Sequence, residues 1–151
     1  MMKTNSPLYE DTPEYDFWLK FILGGILALT FILGIIFILE NTEAAAVMFG
    51  ITLLDALLFK AILPRRFQIF EDRLRILLGG PFAINIPFSN IAEAKPASRR
   101  KLMIYSGLRL ATSAYHVVEI IRKEGLNLVI SPAHDDMFLE QLNRARKLQS
   151  A

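Results

Sequence analysis

From Phe21 to Leu39 the chain reads FILGGILALTFILGIIFIL, nineteen residues in which Thr30 is the only polar side chain. As a helix this run is about 28 Å long, the thickness of a bilayer's hydrocarbon core. A helix apolar on every face must be buried in protein or lie in lipid. The rest of a 151-residue chain is too small to wrap it on all sides, so the sequence predicts a membrane span. Tyr15, Phe17 and Trp18 precede the run and Lys20 opens it, the pattern of an aromatic interface belt with a snorkelling lysine.

Glu40–Glu43 forms a polar turn, and a second apolar run follows from Ala44 to Leu63, closed by Pro64 and Arg65-Arg66. Lys60 lies near the basic end of this run and can snorkel; with Trp18, Lys20, Arg65 and Arg66 it makes up the expected set of interface anchors. Asp55 is deeper, where an ionised carboxylate costs on the order of 2–3 kcal/mol. Protonation, an orientation toward the first helix, shallow seating near interfacial water and a partner-binding role all fit it. The small residues Gly24 and Ala28, Thr30 and Gly34, and Ala46 and Gly50 are spaced to let two helices approach closely.

Charge sets the expected orientation. The turn between the runs has no Lys or Arg, whereas residues 65–151 carry 14 Lys/Arg against 8 Asp/Glu. The positive-inside rule then puts both termini in the cytoplasm, with the chain multi-pass in the inner membrane of a bacterial-type cell. Residues 1–16 are net acidic and lack the basic start of a cleavable signal, so they read as a cytoplasmic N-terminal tail. The predicted organisation is this tail, a transmembrane hairpin over 17–64 (helices about 21–39 and 44–63), and a cytoplasmic domain over 65–151. The absence of cysteine excludes disulfides and thiolate metal sites.

Beyond Pro64 the pattern changes to short alternating runs bounded by turn residues, the mark of a β-rich unit. Arg66–Phe70, Arg73–Leu78, Phe82–Pro87 and Ile91–Ala94 read as successive strands, followed by a basic loop over 95–101 and a fifth strand around Leu108–Leu110. His116–Arg122 and Leu126–Ser131 flank Lys123-Glu124-Gly125, a hairpin in which Gly125 supplies the positive φ of a short turn. Ser131-Pro132 suggests the N-cap and first position of a helix, with Asp135 and Asp136 in its positive first turns. Phe138, Leu142 and Ala145 then fall on one face.

Seven strands followed by one amphipathic helix, together with FQIFEDRLRI, IPFSNIAEA and GLNLVISP leading into MFLEQL, resembles the bacterial pleckstrin-homology-like domains. The resemblance implies a seven-stranded β-barrel capped by a C-terminal α-helix, a mostly β, α+β fold, here behind an N-terminal transmembrane hairpin. Lipid-binding relatives place basic residues around the first hairpin loop. Here that loop is Glu71-Asp72-Arg73, acidic at its tip, so those roles do not carry over.

The remaining surface signal is Arg99, Arg100 and Lys101 in the basic loop, which suit anionic lipid or a partner, or simply solvate the loop. The run is too short, and too far from interleaved aromatics, for nucleic acid. His116 and His134 sit beside no spacing that favours a metal site, and no nucleophile turn or phosphate loop is present. The expected protein is not an enzyme and uses no cofactor. It is a membrane-anchored interaction module, a scaffold or accessory component binding a membrane protein or its own copy. The alternative is a sensor of anionic lipid acting through residues 95–101.

Overall fold

A computed structural model describes residues 6–150. The two apolar runs form helices α1 (Phe17–Ile38) and α2 (Thr42–Ile62), both long and apolar enough to cross a membrane. Asn41 caps α2, its side-chain oxygen accepting from the N–H groups of Glu43 at 3.0 Å and Ala44 at 3.1 Å. The helix stops just ahead of Pro64, as the steric demand of proline on its predecessor requires. Only Gly34 in α1 and Ala45 in α2 are buried, so neither is the core helix of a soluble unit.

The two helices pack through a narrow stripe. The Thr52 hydroxyl lies 2.9 Å from that of Thr30, and Gly34 admits the Phe49 ring so closely that a Cβ there would meet it at 2.9 Å. Of the three small-residue pairs, Thr30 and Gly34 thus serve this contact. Gly24 and Gly50 have nothing within 4 Å of an added Cβ and face outward with Ala28 and Ala46.

The rest of the chain is built on two four-stranded sheets. The first has the order β1 (Tyr9–Asp11), β2 (Pro64–Ile69), β3 (Arg73–Leu78), β4 (Ala83–Pro87), antiparallel throughout. A 3-10 turn, Phe88–Asn90, leads to the second sheet. It contains β5 (Ile91–Pro96), β6 (Leu108–Leu110), β7 (Val118–Arg122) and β8 (Leu128–Ile130) in the spatial order β5-β7-β8-β6. A short helix, α3 (Arg99–Met103), lies on the crossover from β5 to β6, and β6 runs parallel to β8. Helix α4 (Asp135–Ser150) completes the chain.

Alternation in the strands determines the core. Phe67, Ile69, Leu74, Ile76 and Ile86 from the first sheet meet Val118, Ile120, Leu128 and Ile130 from the second. Phe138, Leu142 and Ala145 of α4 fill the remaining side, with Phe138 edge-on to Phe67 at 6.1 Å.

Four expectations change. Seven strands do lie between Pro64 and Ile130, but they are divided between two sheets that do not close into a barrel. The 3-10 turn and a β6 that pairs only with β8 interrupt the hydrogen bonding that closure needs. Residues 6–16 are not a tail: β1 pairs with β2 in register Tyr9↔Ile69 to Asp11↔Phe67, while residues 1–5 lie outside the described part. Ser131 is not the N-cap, because its buried hydroxyl accepts from the N–H of Thr112 at 2.7 Å and of Ser113 at 3.1 Å, and α4 begins at Asp135. The basic stretch 95–101 is also not one loop, since it is shared between the end of β5 and the start of α3.

Candidate functional site

The chain passes from hairpin to sheets without a linker, since Leu63 alone separates α2 from β2. Three further contacts join the two regions. Asp16, the residue before α1, accepts from the Ser113 hydroxyl at 2.8 Å and the Ala114 N–H at 2.9 Å, and its own N–H donates to the Thr112 carbonyl at 3.0 Å. The Tyr15 hydroxyl donates to the Pro64 carbonyl. Burial pushes that phenol's pKa up, with the nearby Arg65 charge acting the other way. Gly79, in the β3–β4 turn, lies against the end of α2, where a Cβ would sit 1.5 Å from the Lys60 carbonyl oxygen. Only glycine allows that approach.

The N-terminal segment continues this attachment along the sheets. Glu14 N–H donates to the Ser131 carbonyl at 2.9 Å, and Ala133 N–H to the Thr12 carbonyl at 2.8 Å. Buried Asp11 accepts from the Thr12 N–H at 2.8 Å and the His134 N–H at 3.0 Å. His116 reaches Asp135 at 3.2 Å and Glu14 at 3.4 Å; the hydrogen bond to Asp135, then the Glu14 charge, raises its pKa above the usual 6.5. Both histidines therefore hold the N-terminal segment and α4 to the sheets. Nothing in the run YEDTPEYD marks it as a strand and clasp, because its carboxylates acquire partners only in three dimensions.

The three cations of the basic stretch have separate environments. Arg99 lies over the Tyr115 ring at 5.9 Å, and the Tyr115 N–H donates to Ser113, the residue that also holds Asp16. Arg99 therefore sits beside the joint with α1. Lys101 is paired with Glu119, whose side chain is 4% exposed. Strand alternation alone would put Glu119 in solvent, but it is buried beside Lys101 of the α3 crossover. Tyr105 lies near Glu119, its pKa raised by burial and then by the Glu119 charge. Arg100 is exposed, as are the apolar Met103 and Ile104 that follow.

Of the expected interface anchors, Trp18 is exposed and edge-on to Phe21 at 6.2 Å. Lys20, Lys60 and Arg65 are also exposed near the same end of the hairpin. Arg66 instead pairs across β2 and β1 with Glu10 at 2.8 Å. Asp55 is half-buried about one turn beyond Thr52, and no described residue hydrogen-bonds it. Phe82, 59% exposed, projects from the turn that rests on α2. Trp18, Lys60, Arg65, Phe82, Arg99 and Tyr115 thus belong to one end of the sheet unit, the end from which the hairpin emerges. No family model, curated protein or solved structure matches the chain.

Proposed function

We propose that this chain is a membrane-anchored, non-catalytic interaction module that holds its sheet unit against the cytoplasmic face of the inner membrane. It would serve there as a scaffold or accessory component for a membrane-protein partner. The observation that carries this reading is the linkerless joint, with its Asp16 clasp and the Gly79 contact. A unit built this way cannot swing on a tether. It presents one fixed face to the bilayer and the others to neighbours, and confinement to two dimensions lets weak contacts suffice. The order of seven strands and a terminal helix over 64–150 supports kinship with the pleckstrin-homology-like domains, a kinship of fold rather than of activity. Asp55, without a partner within the described chain, is the intramembrane group a partner helix would engage.

The test is purification of the tagged full chain in gentle detergent, with mass spectrometry of whatever co-elutes. A stoichiometric membrane protein, released by Asp55→Ala, is the expected result. A homo-oligomer carrying only anionic lipid would sink the partner reading.

That second outcome is the alternative, a sensor of anionic lipid, and one observation favours it. Arg99 is held by Tyr115 beside the Asp16 clasp, so a bilayer around α1 would bring lipid headgroups to it. In nanodiscs, amide exchange over 97–104 should then slow when anionic lipid replaces zwitterionic lipid. Replacing Arg99, Arg100 and Lys101 by Ala should abolish the difference.

A further inference from the structure

The end of the sheet unit opposite the hairpin carries a second, different concentration of positive charge. β5 runs from Ile91 at this end to Pro96 at the hairpin end, a separation of about 17 Å over five extended steps. Between the 3-10 turn Phe88–Asn90, the β7–β8 turn and the last turns of α4 lies an open cleft of about 750 Å³. Lys123, Arg146 and Lys147 line it with the neutral Ser89 and Asn143, and no Asp or Glu is among the described lining residues.

Among the described residues, the bonds that hold the walls in place use neither lysine's ammonium group. Asn90 accepts from the Glu124 N–H at 2.9 Å and donates to the Glu124 carbonyl at 3.2 Å, and the Lys123 N–H donates to the Asn90 carbonyl at 2.8 Å. The turn bearing Lys123 is thereby fixed to the turn bearing Ser89. Arg146 donates to the carbonyls of Ile91 at 2.9 Å and Ala92 at 3.0 Å, tying α4 to the start of β5.

Helix polarity explains some of this charge but not all of it. Cations near the end of α4 offset roughly half a negative charge. Arg146 and Lys147 alone exceed that, and Lys123 arrives from a different element. Three like charges around one cavity repel one another unless an anion joins them. The geometry points to a binding site for a small polyanion, one carrying two or more phosphate or carboxylate groups. The cavity is within the range of about 300–1,000 Å³ typical of small-ligand sites. This inference rests on the cleft alone and is independent of what the hairpin-side surface binds.

The test uses the full chain in nanodiscs of zwitterionic lipid, titrated with inorganic tripolyphosphate by isothermal calorimetry. Saturable binding at one equivalent is expected. Lys123→Gln combined with Lys147→Gln should weaken it by about tenfold or more, the effect of losing one or two charge-assisted hydrogen bonds. Both lysines are exposed, so an unchanged thermal melt should accompany that loss. Arg144→Gln, on the same helix but outside the cleft lining, should leave affinity unaltered. No saturable binding at millimolar tripolyphosphate would overturn the inference. So would an equal loss in Arg144→Gln, which would mean diffuse charge attraction. Binding of an acidic peptide but not of tripolyphosphate would also overturn it, in favour of a macromolecular partner.

Discussion

The hairpin and the sheet unit use the same kinds of side chain in opposite ways. On α1, Leu29, Phe31 and Ile32 are each at least half exposed, and Gly34 is the one buried residue of the helix. In the sheet unit Ile120 and Leu128 of the strands and Phe138 of α4 are wholly buried. The difference is the one expected of helices that meet in lipid and sheets that pack in water. In water, apolar area drives packing at about 25 cal/mol per Å². Between two helices in lipid that term is nearly absent, and close approach through small residues and polar contacts replaces it. The hairpin accordingly meets through glycine, alanine and two threonines, and the sheet unit through interdigitated Phe, Ile and Leu.

The largest test of this contrast is a pair of truncations, followed by chemical denaturation of the reconstituted protein. Phe138→Ala removes a ring packed on Phe67 and Tyr9 and should cost about 3–5 kcal/mol. Leu29→Ala, on the outward face of α1, should cost under about 1 kcal/mol. Equal costs would mean that protein, not lipid, surrounds the hairpin.

Next comes the joint between the regions. Asp16→Ala leaves the Ala114 N–H and the Ser113 hydroxyl without their acceptor and should cost about 1–3 kcal/mol. Faster amide exchange over 112–115 should accompany it, with the hairpin unaffected. If exchange there is unchanged, the two regions are not coupled through this clasp.

A pH dependence separates the regions again, because His116 belongs only to the sheet unit. Its folded pKa lies above 6.5, owing first to the Asp135 hydrogen bond and then to Glu14. The protonated form is therefore favoured by folding. That stabilisation is complete below the unfolded pKa and is lost as pH rises through the higher folded value. Comparing wild type with His116→Gln from about pH 6 to about pH 8.5 should show the wild-type advantage shrinking as pH rises. A constant difference would remove His116 from the clasp.

The smallest effect belongs to the hairpin. Thr52→Val breaks the hydroxyl contact with Thr30 and should cost about 0.6 kcal/mol, the average for such bonds in lipid. A cost of several kcal/mol would mean that polar contacts, rather than close packing, hold the helices together.

These regions also differ in how openly the sequence announces them. The apolar runs declare the helices because a bilayer demands length and continuous hydrophobicity, both of which are local properties. The hairpin around Gly125 was equally plain, and that residue has the positive φ of +89° its turn requires. The stripe Phe138, Leu142 and Ala145 faces the core as its spacing implies. By contrast, the acidic run 10–16 looked like a solvated tail, and Ser131-Pro132 looked like a helix start. Ser131 has local credentials for capping, but Thr112 and Ser113, almost twenty residues earlier, claim its hydroxyl instead. The Arg99-Arg100-Lys101 cluster read as one patch, and the fold separates it by giving Lys101 to Glu119.

What the sequence determined by itself was two helices fit to span a membrane, a β-rich unit beyond Pro64 and a closing amphipathic helix. Each follows from periodicity and composition within a window of ten to twenty residues. Only the tertiary structure decided that β1 joins the first sheet and that the strands form two sheets rather than a closed barrel. It alone also decided that Asp16 and Gly79 fix the hairpin to the sheets, and that Lys123 gathers with Arg146 and Lys147 at the far end. The reason is that hydrogen bonds and charges between residues far apart in the chain are chosen by where the folded backbone brings them, and no local pattern encodes that choice.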